Sequence, residues 1–453
     1  MNVLLIRIKP HKETIGLQHV MICEPLELEY LVSNHQTTAQ VKIIDMIVEK
    51  RKLNNILKQE NPDLVVFSGY ISHVNEIKKA AQVVKNLNSK TKVLVGGVHA
   101  EVNPQDYVSD YIDYISCANG IDTFKDLLQR LINREENLIE TIPGLYKEGR
   151  TYTKHTNFKY NHPDRTSVSQ YRSAYYYMFH NPCALIKTSF GCPYVCEFCF
   201  CREITDDAYY QRSIDDVINE LKQIPEKEIY IVDDNFLYDK DRLLEFISKL
   251  KEHRLDKHFL VYGRADFVAT NEDVIKQFNQ VGLRAVIVGL ESHKDDALEA
   301  YNKHSSKAIN EKAVSILQSY DIEVYGTLII PMDFKKEDFK GLENWLNEMR
   351  LTFVNLQPLT PLKGTAIYQD YKKHFIIPED AYEKWDLAHV VLKPKYLSIR
   401  AYYYYLLVTY YRVVMRPHKV WRLIKKYGLK ENIKMMIGSS RVSLQYMLKI
   451  WRG

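Results

Sequence analysis

Three closely spaced cysteines are the residues of this sequence best suited to chemistry. Cys192, Cys196 and Cys199 lie in residues 189–199, which read SFGCPYVCEFC. The glycine and the proline of this segment favour a tight loop that turns the three thiols inward. Three thiolates are one fewer than a closed tetrahedral metal site needs. They can instead hold a [4Fe–4S] cluster and leave one iron open for a small-molecule ligand.

Other interpretations of the cysteine loop stay open. A zinc site usually needs a second pair of closely spaced cysteines or histidines, and the sequence contains no second Cys-x2-Cys pair. Cys201, which follows the loop, could complete a closed structural site as a fourth ligand. The spacing could also arise by chance among the seven cysteines of the chain.

The loop resembles the signature of the radical S-adenosylmethionine (SAM) enzymes, in which an aromatic residue such as Phe198 stands directly before the last cysteine. The resemblance implies that Cys192, Cys196 and Cys199 are the metal ligands and that the open iron chelates the amino and carboxylate groups of SAM. It leaves Cys201 outside the ligand set. An electron donor such as a flavodoxin or a ferredoxin would reduce the cluster.

The elements that must position this loop fall in two groups, the first in residues 1–135. Strands are predicted over residues 3–8, 41–44, 63–69 and 92–97, separated by helical segments. This alternation predicts an α/β domain with a doubly wound, Rossmann-like parallel sheet. Ligands of such sheets lie at the carboxyl ends of the strands, where glycine permits a close approach. Four residues occupy those ends: Ser68, Gly69, Gly96 and Gly97.

This N-terminal region resembles the cobalamin-binding domains that precede a large class of radical SAM enzymes. The matching segments are residues 24–31, 68–69 and 96–100, followed by Pro104. The resemblance implies that cobalamin contacts Ser68, Gly69, Gly96 and Gly97. The D-x-H-x-x-G pattern, by which some cobalamin proteins offer a histidine to cobalt, is absent from the sequence, so histidine ligation is not expected. The alternative is a degenerate flavodoxin-like domain that binds nothing or docks substrate.

Residues 136–180 are predicted to form a connector between two domains. They show little periodicity and end in a tyrosine-rich stretch. Within them, residues 142–146 are expected to form a small hairpin with a strand after Gly149.

The alternation of strands and helices resumes in residues 181–375. Six strands are predicted over residues 183–188, 228–232, 259–262, 285–288, 324–330 and 353–357. Six strands in one sense, each with a helix, describe a partial (β/α)6 barrel whose chemistry belongs at the carboxyl ends of the strands. Helices are expected to open at Ser213, Asn271 and Ser306 and near Lys336. The cysteine loop follows the first strand and so belongs to the expected rim.

Polar residues follow the strands of this predicted barrel. Six of them match the SAM-contacting segments of the related enzymes: Asp233, Asp234, Asn235, Arg264, Glu291 and Ser292. The resemblance implies that residues 233–235 lie near the methionine end of SAM, that Arg264 meets its carboxylate or a neighbouring acid, and that residues 291–292 lie near its ribose. The charges of SAM suit these roles. The alternatives are structural salt bridges, or capping by Asp233 and Asp234 of the helix that begins near Lys240.

The C-terminal region, residues 376–453, is predicted to be helical, basic and aromatic. Residues 391–453 contain eight Lys and six Arg against one acid, a local charge of +13 in a chain whose net charge is +5. A helix over residues 399–415 is apolar nearly all round, which predicts its burial, and helices from Pro417 and Lys430 are basic and amphipathic. Such helices suit a membrane surface or an apolar, anionic substrate. The alternatives are a solvated cap on the barrel and nucleic-acid binding, but no specific nucleic acid is expected because the sequence contains no recognition module.

Length and composition agree with this organisation. The 453 residues are 46% apolar and 26% charged, as in a globular protein of two or three domains. No run of 18 apolar residues occurs, so no transmembrane span is predicted. An oxygen-sensitive cluster and scattered remaining cysteines fit the reducing cytoplasm, with association at a membrane surface.

The resemblances together imply a radical SAM enzyme that transfers a methyl group, through cobalamin, to an unactivated carbon of a small biosynthetic intermediate. One alternative is a radical oxidation or cyclisation without methyl transfer. Another is a non-catalytic iron–sulfur protein that serves as a sensor or scaffold. The sequence assigns no residue to the transfer of protons or hydrogen atoms.

Overall fold

The computed structural model describes residues 1–16, 19–154, 158–303 and 305–452. Within them the chain forms two parallel β-sheets, one in each region of predicted strand–helix alternation. A connector joins the two sheets, and long helices follow the second one.

The N-terminal sheet has five parallel strands in the order β3-β1-β4-β5-β6. The strands of this region, with β2 lying outside the sheet, are β1 (Asn2–Arg7), β2 (Met21–Ile22), β3 (Gln40–Asp45), β4 (Leu64–Ser68), β5 (Lys92–Gly96) and β6 (Tyr114–Ile115). Its helices are α1 (Leu26–Asn34), α2 (Leu53–Glu60), α3 (Val74–Leu87), α4 (Val98–Val102) and α5 (Gly120–Ile132). Alternate residues of β1 face opposite sides, so Ile6 packs in one core with α3 and Leu5 in another with α5. Helices on both faces confirm the doubly wound sheet.

The connector differs from its prediction at residues 142–146. The Tyr146 amide donates to the Ile115 carbonyl at 2.8 Å, and the Cys117 amide donates to the Gly144 carbonyl at 2.9 Å. The segment therefore pairs with the edge of the N-terminal sheet at β6. The predicted hairpin is wrong, because the open backbone groups of this edge are the nearer partner and no strand follows Gly149 in residues 150–154 or 158–164. Residues 155–157 lie outside the described part of the chain.

The second sheet has six parallel strands in the order β15-β14-β13-β12-β11-β8 and confirms the partial barrel. The strands after the N-terminal region are β7 (Tyr176–Tyr177), β8 (Cys183–Ile186), β9 (Ser189–Phe190), β10 (Tyr210–Gln211), β11 (Glu228–Ile231), β12 (His258–Gly263), β13 (Leu283–Glu291), β14 (Glu323–Ile330) and β15 (Phe353–Pro358). The helices are α6 (Cys201–Thr205), α7 (Ile214–Gln223), α8 (Lys240–Glu252), α9 (Ala265–Thr270), α10 (Glu272–Gln280), α11 (Asp295–Ala300), α12 (Lys307–Ser319), α13 (Lys336–Glu348) and α14 (Tyr368–Tyr371). Strands β8 and β15 are the two free edges, so the barrel is open on one side. Short antiparallel pairs join β9 to β10 and β2 to β7.

The predicted helix starts are confirmed, with one difference in chemistry. Ser213 and Ser306 cap α7 and α12, each accepting a hydrogen bond from a backbone amide of the first turn. Asn271 stands at the start of α10 but does not cap it, because its side-chain amide donates to the Phe267 carbonyl of the preceding helix.

Two long helices end the described chain: α15 (Ile399–Val414) and α16 (Pro417–Arg452). Gly428, at φ +81°, kinks α16, as the two predicted amphipathic helices require. The predicted burial of α15 holds for one face, where the Tyr402 hydroxyl donates to the Ile330 carbonyl, whereas Tyr404 is 50% exposed. No helix in the described residues is both long and apolar enough to cross a membrane.

Buried ionic contacts hold the two sheets together. Glu24, two residues before α1, accepts a hydrogen bond from the Leu185 amide of β8 at 2.6 Å. Arg165 of the connector pairs with Glu220 of α7 at 2.7 Å and lies 3.7 Å from Glu24. On another side Lys363 pairs with Asp106 at 2.8 Å. These contacts set the position of the N-terminal domain over the barrel.

Candidate functional site

The cysteine loop follows β8 on the carboxyl rim of the barrel, as predicted. Cys192, Cys196 and Cys199 are all half-buried, and the Cys199 amide donates to the Cys196 carbonyl at 3.1 Å. Gly191 opens the loop at φ +78°, and a β-carbon there would overlap the Ala208 carbonyl oxygen. Glycine is therefore required at this turn both by its backbone angle and by the close approach.

No three His, Cys, Asp or Glu side chains converge on one metal-ion position in the described ranges. A [4Fe–4S] cluster needs no such point, since each thiolate binds a different iron. Burial raises the pKa of Cys192 to about 11, whereas a hydrogen bond from the Cys201 thiol lowers the pKa of Cys199.

Asp233 holds the end of β8 in place. Its carboxylate accepts hydrogen bonds from the Thr188 amide and the Thr188 hydroxyl, both at 2.6 Å, and from the Ser189 hydroxyl at 2.7 Å. The side chain is buried, and these three bonds fix the strand directly before the cysteine loop. The helix-cap alternative for Asp233 and Asp234 is wrong, because Asp239 caps α8 through the Arg242 amide.

The next two residues differ in their surroundings. Asp234 accepts a hydrogen bond from the Cys201 thiol at 3.5 Å and lies 3.6 Å from the Lys187 ammonium group. Asn235 is buried, and both its amide nitrogen and its amide oxygen lack a partner within the described residues. A buried amide with two unmet hydrogen bonds is costly, so this group fits a polar ligand bound at the rim.

Arg264 follows β12 and is held in a fixed orientation. Its guanidinium donates to Asp266 at 2.9 Å, so the neighbouring acid expected from the sequence is two residues away. The group also lies over the Tyr194 ring, 3.9 Å from its centroid. Tyr194 belongs to the cysteine loop, and Arg264 therefore ties the loop to the third strand of the barrel.

Glu291 and Ser292 lie at the end of β13. Glu291 has φ +56° and pairs with Lys303 at 2.8 Å, with both side chains buried. The Ser292 hydroxyl accepts from the Lys294 amide at 3.1 Å. The positive charges of Lys303 and Arg264 act on the Cys196 thiol and oppose the rise in its pKa caused by burial. The rim residues and the cysteine loop thus form one electrostatic site. Sequence reasoning missed Lys303, which lies in a loop without any local signal.

The glycines at the strand ends of the N-terminal sheet make a close backbone approach. Gly97 has φ +97°, and a β-carbon there would lie 2.9 Å from both the Gly69 amide nitrogen and the Ser68 hydroxyl oxygen. A β-carbon on Gly96 would lie 3.6 Å from the β-carbon of Ser116. The four predicted residues therefore lie together at one edge of the sheet, where the Ser68 hydroxyl lies beside the Gly97 backbone.

Two further polar groups at this edge were missed by sequence reasoning. The Ser116 hydroxyl and the side-chain amide oxygen (Oδ1) of Asn119 are buried without a hydrogen-bond partner in the described residues. Both follow β6, a strand too short to be predicted. Together with the open glycine edge, they fit a large ligand that carries polar groups, such as the amide side chains of a corrin.

Tyr70, after β4, and Tyr262, near the end of β12, are 61% and 37% exposed, and the solvent-accessible region around these two side chains is called the central space. Loss of solvation within the surrounding protein nevertheless raises the pKa of both phenols. Glu27 and Cys23 interact electrostatically with Tyr70, and Cys23 and Asp234 interact with Tyr262. Tyr262 therefore lies between the N-terminal domain and the rim that carries the cysteine loop.

Two family models match the regions that build this site. Residues 14–128 match the B12 binding domain, and residues 186–346 match the radical SAM superfamily. The chain is 25% identical over 439 residues to the hopanoid C-3 methylase of Methylococcus capsulatus, which covers 95% of this chain and 83% of the relative.

A second relative and a solved structure complete the comparison. The anaerobic magnesium-protoporphyrin IX monomethyl ester cyclase of Cereibacter sphaeroides is 21% identical over 369 residues, covering 78% of this chain and 60% of that protein. The fold superposes on the cobalamin-dependent SAM radical enzyme OxsB with aqua-cobalamin bound, with a TM-score of 0.69 and 15% identity over 100% of this chain and 80% of the other.

Proposed function

We propose that this chain, which belongs to the radical SAM superfamily and carries an N-terminal B12-binding domain, transfers a methyl group from SAM to an unactivated carbon of a small molecule. Its cofactors are a [4Fe–4S] cluster, SAM and cobalamin. The observation that supports methyl transfer most directly is the position of two exposed tyrosines: Tyr70 follows Ser68 and Gly69, and Tyr262 lies two residues before Arg264. The two phenols interact electrostatically, so the edges proposed for the two cofactors face each other. The hopanoid methylase named among the relatives supports the same reaction.

Each cofactor has a proposed set of residues. Cys192, Cys196 and Cys199 would hold the cluster, and Asn235, Arg264, Glu291 and Ser292 would contact SAM, with Asp234 beside them. Asp233 would support this site indirectly, because its carboxylate already accepts three hydrogen bonds from Thr188 and Ser189. Ser68, Gly69, Gly96 and Gly97 would contact cobalamin, together with Ser116 and Asn119. When bound, the cofactors supply the reductive cleavage of SAM and the methyl transfer itself.

The chain's own task is positioning and the exclusion of water. The Arg264 guanidinium is already oriented by Asp266 and Tyr194, so it can bind an anionic group without reorganising. The Lys303 ammonium, paired with Glu291, places positive charge beside the cysteine loop. The tyrosines of the central space supply apolar rings with hydroxyl groups, which suit a small apolar substrate.

A Gly97→Ala variant is expected to lose cobalamin. The left-handed backbone costs a non-glycine residue about 1–2 kcal/mol, and the new methyl group would also push Ser68 and Gly69 out of place. Gly149→Ala is the matched control, since it has φ +78° but no neighbour within 4 Å of the added carbon. Urea unfolding should show a small loss of stability in Gly149→Ala and a larger one in Gly97→Ala, because only the second variant adds a close contact. Bound cobalamin, measured by absorbance, should fall at least about tenfold in Gly97→Ala alone. Equal cobalamin content in the two variants would remove these glycines from the site.

An alternative is radical cyclisation or oxidation without methyl transfer, and the cyclase among the relatives supports it. Membership of the superfamily leaves no support for the non-catalytic interpretation. The two reactions differ in their use of SAM, since methyl transfer converts one SAM to S-adenosylhomocysteine and cleaves a second one.

The discriminating experiment needs no identified substrate. Anaerobically reconstituted protein loaded with cobalamin is mixed with SAM and a strong reductant, and both adenosyl products are quantified. Methyl transfer predicts about one equivalent of S-adenosylhomocysteine per bound cobalamin, together with 5′-deoxyadenosine. 5′-Deoxyadenosine without S-adenosylhomocysteine would favour the cyclase-type alternative and reject the proposal.

The proposed partners follow from the surface of the same chain. We propose a reduced flavodoxin or ferredoxin as the electron donor and an apolar substrate that the protein meets at a membrane surface. The concentration of Lys and Arg in residues 391–453 supports the membrane contact.

A further inference from the structure

The last segment of α16, residues 429–452, has two apolar faces. The inner face is packed: Met435 is buried, and Tyr446 packs against the barrel core. Gly438 lies so close to residues 19–20 that an added β-carbon would overlap the His19 carbonyl oxygen. The Gln445 amide donates to the Thr14 carbonyl at 3.0 Å. This face therefore holds the segment against both domains.

The outer face carries a second apolar stripe that nothing covers within the described residues. Its members share one side of the helix, and each is between 47% and 77% exposed: Leu429, Ile433, Met436, Ile437, Leu444, Met447 and Trp451. At 100° per residue they fall within about 120° of the helix circumference, with Ser440 as an exposed polar residue among them. Ordinary surface helices keep this side polar, so an apolar stripe of this length marks a binding surface.

Basic residues border this stripe along one side. Lys430, Lys434 and Arg441 are exposed and lie within about 40° of one another on its flank. The Lys434 ammonium group also lies 3.8 Å from the centroid of the Tyr176 ring. The one acid of the tail, Glu431, lies on the other side of the helix and is half-buried. Antiparallel association of the stripe with a second copy would place two basic rows side by side, which is unfavourable. A surface with negative charge and an apolar interior complements both features.

We propose that residues 429–452 of α16 lie in the interface of an anionic lipid bilayer, with the stripe buried among the acyl chains and the basic row on the headgroups. Tryptophan is favoured at this depth, and Trp451 ends the stripe. The segment is anchored to Thr14, to His19 and Val20, and to the barrel, so binding would hold the whole protein at the surface. The inference depends on the proposed function for its purpose, access to an apolar substrate, but not for its test.

The test measures flotation of the full, cofactor-loaded protein with vesicles of phosphatidylcholine alone or mixed with phosphatidylglycerol. Binding to the anionic vesicles should be at least about tenfold tighter. Lys430→Gln with Arg441→Gln should remove that preference. Ile437→Ser with Leu444→Ser should weaken binding to anionic vesicles about tenfold or more. Leu87→Ser, at an exposed leucine of α3, is the matched control and should bind as the parent does.

Further measurements distinguish the possible outcomes. Cleavage of SAM in the absence of vesicles should be unchanged in the stripe variants, which shows that they fold. Equal binding to both kinds of vesicle, or stripe variants that still bind, would overturn the proposal. A dimer in analytical ultracentrifugation that the stripe variants abolish would overturn it in favour of a second copy. A protein that binds vesicles but forms no S-adenosylhomocysteine would contradict the proposed function and leave this inference intact.

Discussion

Replacing Cys196 with alanine should abolish the cleavage of SAM while the fold persists. The thiol is half-buried on a loop whose backbone is held by Gly191, by the hydrogen bond from Cys199 and by the bond from the Thr188 amide, before the loop, to Asp233. Removing a small, partly exposed side chain from such a loop has little effect on stability. A cluster with two thiolate ligands, however, is no longer retained in the geometry that presents an open iron.

The measurements are iron and sulfide content after anaerobic reconstitution, and 5′-deoxyadenosine formed under strong reductant. Both should fall to background in Cys196→Ala. Cys201→Ala is the matched control: Cys201 is also half-buried and lies two residues after the last ligand, but it is outside the proposed ligand set. It should retain the cluster and SAM cleavage. If Cys201→Ala lost the cluster and Cys196→Ala kept it, the ligand assignment would be wrong.

Asp233→Ala is expected to be the most destabilising single change in the barrel rim. The substitution leaves two hydroxyl donors and one amide donor buried without their acceptor. The loss of hydrogen bonds to a buried charge should lower the free energy of unfolding by about 3–5 kcal/mol. The end of β8 would then be free to move, and the cysteine loop with it.

Urea unfolding of the cluster-free protein checks this value. Asp239→Ala provides the comparison, because Asp239 makes a single cap bond to the Arg242 amide and should cost only about 1 kcal/mol. Similar losses in both variants would mean that Asp233 does not anchor the strand. In the cofactor-loaded protein, Asp233→Ala should also reduce the iron content, whereas Asp239→Ala should not.

The sequence predicted the sheets and the position of the site because those features depend on local patterns. Apolar runs at regular spacing identify parallel strands, and parallel strands bring their carboxyl ends to one edge, so Arg264 and Glu291 could be placed beside the cysteine loop in advance. The contacts of Asp233 could not be predicted. An acid at a strand end gives the same sequence pattern whether its carboxylate faces a ligand or a neighbouring strand.

The misses have a common physical cause. Residues 142–146 pair with β6, Lys303 reaches Glu291, and Ser116 and Asn119 border the glycine edge. Each contact depends on how distant segments pack, and none leaves a periodic signal in the chain. Contact partners of this kind can be identified only from the folded structure.

The contact of Glu24 with β8 limits how the two halves of this protein can be exchanged. Helix α1 begins two residues after Glu24, and within its first turn Glu27 faces the central space. The hydrogen bond from the Leu185 amide to Glu24 therefore fixes the spacing between the central space and the strand that precedes the cysteine loop. An N-terminal domain taken from a relative would bring its own spacing and misalign the two edges. We expect the N-terminal domain and the barrel to be inherited as one unit. Chimaeric proteins should lose activity unless Glu24, Arg165 and Glu220 are transferred together.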